Sequence, residues 1–136
     1  PPPTRLYPFP EVHWEESFFR QVAQRVDLMV PMMYDTGITY TKLYENLMAE
    51  WTKEVIDWSG DTPVLLGVPA YDDSGVGYHD PAVENLRHGI RGIHGGLQSM
   101  EGLPANYVGL CIYAEWTMTD EDWEVWTTEF QSPIKP

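Results

Sequence analysis

Apolar positions recur along this chain with two different periods. Leu28-Met29-Val30-Pro31-Met32-Met33 is a continuous apolar run that stops abruptly at Tyr34-Asp35-Thr36-Gly37. A continuous run predicts a parallel strand over 27–34, covered on both faces. Pro31 argues against a central position, because it lacks an N–H, unless it sits at a bulge or on an unpaired side. Two further runs predict strands: Pro63 to Tyr71, with Val64-Leu65-Leu66-Gly67-Val68 as its core, and about Tyr107 to Tyr113. Pro63 suits a first strand position, where the missing donor does least harm.

Helical spacing fills the intervals. Phe18, Phe19, Val22 and Val26 predict a helix over 14–26. Tyr40, Leu43, Tyr44, Leu47, Met48, Trp51, Val55 and Trp58 form a stripe over about 40–58, ended by Ser59-Gly60. After a flexible loop over 72–79, Asp80 can cap a helix with Pro81 at its first position. Val83, Leu86, Ile90, Ile93 and Leu97 carry that helix to about 100, with Gly95 and Gly96 weakening its end. Thr119 can cap a last helix that turns Trp123, Trp126 and Phe130 inward. Residues 1–12 hold five prolines and predict an extended arm. The order is a helix followed by three strand–helix units, which predicts an α/β fold with parallel strands. Three parallel strands leave both sheet edges open, so the expectation is a single segment, 1–136, that is part of something larger or pairs with a partner.

Composition narrows the function classes. The formal charge is −13, from 8 basic and 21 acidic residues. Such a surface repels phosphate backbones and anionic membranes, so neither nucleic acid nor membrane is the expected partner. No run reaches the roughly 18 apolar residues of a spanning helix. Cys111 is the single cysteine and lies in an apolar run, as a packed hydrophobe does. His13, His79, His88 and His94 are scattered without ligand spacing, and Asp72-Asp73-Ser74-Gly75 lacks the twelve-residue calcium pattern, so no metal is expected. Neither a Gly-rich phosphate loop nor a Gly-x-Ser-x-Gly elbow is present, and no cofactor is implied.

The strand ends carry the candidate chemistry. In barrels of alternating strands and helices, the loop after each strand holds the functional residues. Met32-Met33-Tyr34-Asp35 resembles the Met-x-Tyr-Asp motif on the sixth strand of chitinase-like glycoside hydrolases of family eighteen. Leu66-Gly67-Val68-Pro69-Ala70-Tyr71 resembles their seventh-strand segment, and Gly109-Leu110-Cys111-Ile112-Tyr113 their eighth. The resemblance implies the C-terminal part of a (β/α)8 TIM barrel, strands six to eight. It implies that Tyr34 and Asp35 hold the N-acetyl group of a sugar. Tyr113 stands where the family has a floor tryptophan, and Trp116 follows three residues later.

The family's acid motif has one partial match, Asp120-x-Asp122-x-Glu124. It reads better as a helix start, where acids complement the dipole, so the catalytic acid is expected upstream of Pro1. Within the chain, Asp35 and Glu115 are the nominated catalytic pair, since glycosidic cleavage needs two carboxyls roughly 5–9 Å apart. Tyr34, Tyr71, Asp72, Tyr113 and Trp116 are the nominated substrate contacts, aromatic faces beside acids suiting a neutral sugar. The expected function is sugar contact during hydrolysis of a polysaccharide or amino-sugar glycan. The alternatives are a barrel that binds glycans without cutting them, and a half-barrel that pairs with a second copy.

Overall fold

The computed structural model describes residues 14–73, 75 and 77–130. The expected arm over 1–12 lies outside them. The elements are α1 (Glu16–Ala23), α2 (Thr41–Ser59), β1 (Val64–Pro69), α3 (Leu86–Gln98), β2 (Tyr107–Tyr113), a 3-10 turn (Glu115–Thr117) and α4 (Asp120–Val125), which widens into a π turn (Trp126–Phe130).

The partial (β/α)8 barrel expected from the sequence is not what the chain forms. The described residues make a small α/β domain of four α-helices and one two-stranded parallel sheet, without three strand–helix units. The absent strand is 27–34, and Pro31 explains why. Met29 N donates to Pro63 O (2.9 Å), and Met33 N donates to Gly67 O (3.0 Å). The donor due between them belongs to residue 31, which has none. The ladder is thereby cut into two isolated parallel bridges, Met29 with Val64 and Met32 with Gly67. Only one face of this segment is covered: Met29, Pro31 and Met33 are buried, whereas Leu28, Val30 and Met32 are exposed.

The core lies between the sheet and the α2–α3 pair. Tyr44, Met48, Trp51 and Val55 of α2 are fully buried, as are Ile90 and Ile93 of α3 and Val64, Leu66 and Val68 of β1. α1 seals the end of α2 by setting Phe19 edge-on to Trp58, with ring centroids 5.7 Å apart. Phe18 and Val26, expected on the same stripe, face solvent instead.

Helix α3 begins five residues later than Pro81 suggests. The Asn85 side chain accepts from His88 N (3.1 Å) and caps it. Asp80 caps only the turn before it, accepting from Ala82 N through Oδ1 (3.1 Å). Gly95 and Gly96 do not break the helix, and Gly96 packs directly on Ala49 and Thr52 of α2. Thr119 does cap α4, in a reciprocal box with Asp122. The Asp120–Glu124 run is therefore a helix start. Trp123 turns outward rather than inward, and Val125 fills the buried position.

Candidate functional site

Three segments meet where the parallel elements end. The first is Tyr34–Gly37, directly after the Met32 bridge. The second is the connection that follows β1, bearing Tyr71 and His79. The third is the end of β2, with Tyr113 and Trp116. Ala70 N donates to Tyr113 O (2.7 Å), and Thr117 Oγ1 donates to Ala70 O (2.9 Å), so the last two segments are pinned together.

The rings form one contiguous group. Tyr34 stacks on Tyr113 with centroids 5.7 Å apart and planes 7° from parallel. Tyr71 stands edge-on to both, at 5.9 Å from Tyr34 and 5.6 Å from Tyr113. Trp116 meets Tyr113 edge-on at 6.1 Å. Offset and T-shaped pairs at these separations are the favoured aromatic geometries. Tyr34 is buried, Tyr113 is 50% exposed and Trp116 is 75% exposed, so the group runs from core to solvent.

Asp35 is the polar centre of this group. Its φ is 62°, the left-handed region that aspartate tolerates better than most residues. Its Oδ1 accepts a short hydrogen bond from the Tyr71 hydroxyl. Burial, and then the bond to Asp35, hold the Tyr71 phenol well above its ordinary range. Burial likewise raises Tyr34, with Asp35 adding to it. Both therefore stay neutral phenols near neutral pH, and Tyr71 keeps the proton that it donates.

His79 backs this arrangement. Its ring stacks on Tyr71 at 4.1 Å, and its side chain is fully buried. Nε2 lies 3.2 Å from Tyr71 O, and because a carbonyl only accepts, Nε2 carries a hydrogen. Nδ1 lies 3.2 Å from Asp35 Oδ1 but outside hydrogen-bond alignment, and finds no other partner. In the neutral ring that nitrogen would turn a lone pair toward a carboxylate oxygen.

Beneath the loop sits Glu84, fully buried. Its Oε2 accepts from Thr36 N and its Oε1 from Gly37 N, both at 2.9 Å. Gly37, with φ 68°, also donates to Tyr78 O (2.8 Å). Burial raises the Glu84 carboxyl above the ordinary range, opposed by the two backbone donors and by His79.

The nominated residues thus separate into two sets. Tyr34, Asp35, Tyr71, Tyr113 and Trp116 are brought together. Asp72 is exposed on the following loop, and Glu115 is exposed on the 3-10 turn, outside the Asp35–Tyr71–His79 network. His79 and Glu84 were not nominated. An acid beside the helical apolar positions Val83 and Leu86 is a faint signal for Glu84. Its partners, 47 and 48 residues away, are visible only in the fold.

A separate cleft of about 390 Å³ is lined by Pro81, Asn85, Arg87, His88, Glu121, Asp122 and Val125. Arg87 is matched there by Glu129 at 2.6 Å and Glu121 at 3.7 Å. None of the nominated residues lies in it. Among the described residues, no three or more His, Cys, Asp or Glu side chains converge as for a metal ion, and no helix is long and apolar enough to cross a membrane. Comparison with protein-family models, with curated proteins and with solved structures found no match to this chain.

Proposed function

We propose that the Asp35 end of the domain binds a carbohydrate, a neutral polysaccharide or an amino-sugar glycan, without cutting it. The observation that carries this reading is the setting of Asp35. A partly exposed carboxylate is held by Tyr71 at the edge of an aromatic group whose outer members, Tyr113 and Trp116, face solvent. Sugar C–H faces pack on aromatic rings, while sugar hydroxyls seek carboxylates. The resemblance of Tyr34-Asp35, Tyr71 and Tyr113 to the strand ends of chitinase-like hydrolases points to the same ligand class, by analogy of motif.

Binding is favoured over cleavage by the state of the acids. Hydrolysis requires two carboxyls, one of them free to protonate the leaving oxygen. The two acids of this network are Asp35, tied to Tyr71, and Glu84, whose two oxygens both accept from backbone.

Tryptophan fluorescence during titration with chito-oligosaccharides and with hexose oligomers tests the proposal, since Trp116 is the outermost ring. Saturable quenching is expected. Trp116→Ala should weaken binding by about 1–2 kcal/mol, roughly fivefold to thirtyfold in Kd. Unchanged spectra and unchanged amide resonances with both oligomer classes at millimolar sugar would reject it.

A further inference from the structure

We infer that Glu84 is the positioning residue of the Asp35 site: its buried carboxylate clamps the two amides that follow Asp35 and so sets where the Asp35 carboxylate points. This rests on the carbohydrate reading for its purpose, but the clamp itself is a property of the free protein.

The geometry leads here in three steps. First, a fully buried carboxylate is retained only when its oxygens are satisfied. Glu84 satisfies them with Thr36 N and Gly37 N, one oxygen to each, both at 2.9 Å. Second, these are charge-assisted bonds to successive amides, so they fix the peptide planes on both sides of Thr36. The residue immediately before is Asp35, at φ 62°. A non-glycine residue stays in that region only where its surroundings over-determine it. Third, the direction so imposed brings Asp35 Oδ1 onto the Tyr71 hydroxyl and toward His79. The groups that face Glu84 are the loop amides with the Thr36 side chain, His79 and the Tyr71 phenol after β1, and the Tyr44 phenol of α2, which itself donates to Met33 O (3.0 Å). Tyr44 thus steadies the residue before Tyr34, and Glu84 the two after Asp35.

Glu84→Gln is the decisive variant. It preserves shape, but its amide NH₂ must face either Thr36 N or Gly37 N, donor against donor. Resonances of the Thr36 and Gly37 amides, of the Asp35 carboxyl carbon and of the core methyls of Val68, Ile90 and Ile93 are compared with wild type. The expected result is a loss of hydrogen-exchange protection at Thr36, a smaller loss at Gly37, whose N–H keeps Tyr78 O (2.8 Å), and a moved Asp35 carboxyl signal, with the core methyls unmoved. Chito-oligosaccharide binding should fall about tenfold, the size expected when one charge-assisted bond that orients a ligand group is lost. Unmoved Thr36, Gly37 and Asp35 signals in a folded variant would overturn the inference. If wild type binds no sugar, the carbohydrate reading fails, and the free-protein signals still decide the clamp.

Should the variant not fold, the pH titration of wild type decides. The Thr36 and Gly37 amide shifts should follow one common titration, matched by the Glu84 carboxyl carbon. Two amides that titrate apart from that carbon would overturn the clamp.

Discussion

A β-carbon placed on Gly92 would lie 2.5 Å from Met48 Cβ and 2.6 Å from the Glu45 carbonyl oxygen. The contact between α2 and α3 is thus made by backbone approaching backbone, and the glycine is required by space. Gly95, one turn from Gly92 in sequence, is exposed and meets nothing nearer than Ala49 Cβ at 4.0 Å. The two glycines should respond in opposite directions. Gly92→Ala should destabilise by about 1–3 kcal/mol, because overpacking against a carbonyl outweighs helix propensity. Gly95→Ala should stabilise by about 0.5–1 kcal/mol. Urea midpoints at equal slope measure both.

Tyr71→Phe isolates the hydroxyl that Asp35 accepts. The ring contacts with Tyr34, Tyr113 and His79 survive the change. Only the bond to Asp35 is lost, a hydrogen bond to a charged group worth about 1.5–3 kcal/mol, of which solvent recovers a part at this half-exposed site. The fold should hold, with a Tm lowered by a few degrees. The Asp35 carboxyl carbon signal should move. A variant identical to wild type at Asp35 would mean that the hydroxyl does not hold the carboxylate in solution.

The sequence made the Tyr44–Met48–Trp51–Val55 stripe of α2, though not its exposed start at Tyr40 and Leu43, both strands of the sheet and the Thr119 cap readable, because each is set by local pattern. It misled where a single residue decides a tertiary outcome. Pro31 sits inside a run that looks like a strand, and only the register against Val64–Gly67 shows that its missing donor is the one the ladder needs. Asp80-Pro81 has the chemistry of a helix start, yet the chain turns once and begins α3 at the Asn85 cap. The aromatic members of the site were legible because they end apolar runs. Glu84 was not, since an acid that binds amides across 48 residues has no local signature.

Restoring that missing donor is a direct test of the interrupted ladder. Pro31→Val supplies an N–H two residues after Met29 and two before Met33, opposite the Leu65 carbonyl. It also places a β-branched residue of similar bulk on a buried pleat. One ladder bond adds about 0.5–1.5 kcal/mol, offset by the greater freedom of the unfolded chain. Net stability should therefore change by less than about 1 kcal/mol. The amide at position 31 should be protected from exchange as strongly as that of Met33. A freely exchanging amide there would show that something other than the proline keeps the segment out of the sheet.

Glu54 gives a stability test with a defined sign. One of its oxygens is buried without a hydrogen-bond partner. Burial first, then the charges of Glu50 and Glu16, raise its carboxyl above the ordinary 4.5, with Lys53 opposing. A raised carboxyl binds its proton more tightly folded than unfolded. Its contribution is therefore fully present below that ordinary value and is lost as pH rises through the folded one. Glu54→Gln should remove this loss and stabilise the domain near neutral pH. The relieved repulsion across one helical turn amounts to about 0.2–0.5 kcal/mol. Chemical denaturation of both proteins across that window measures it, and a variant less stable than wild type at neutral pH would contradict the assignment.

His94 has the opposite sign. It lies half-buried on α3, and burial lowers it below the ordinary 6.5, with Glu129 pulling weakly the other way. A lowered imidazole prefers to be neutral in the fold. When the pH falls below that ordinary value the unfolded chain takes up a proton that the folded chain refuses, so stability present at higher pH is lost through the folded value. Acidification from ~pH 8 to ~pH 5 should cost wild type more than His94→Gln. The comparison uses the difference between the two proteins, because the carboxylates common to both titrate alike. Were the two denaturation midpoints to fall in parallel, burial and the pull of Glu129 would cancel at His94, and a wild type that loses less than the variant would make Glu129 the stronger influence.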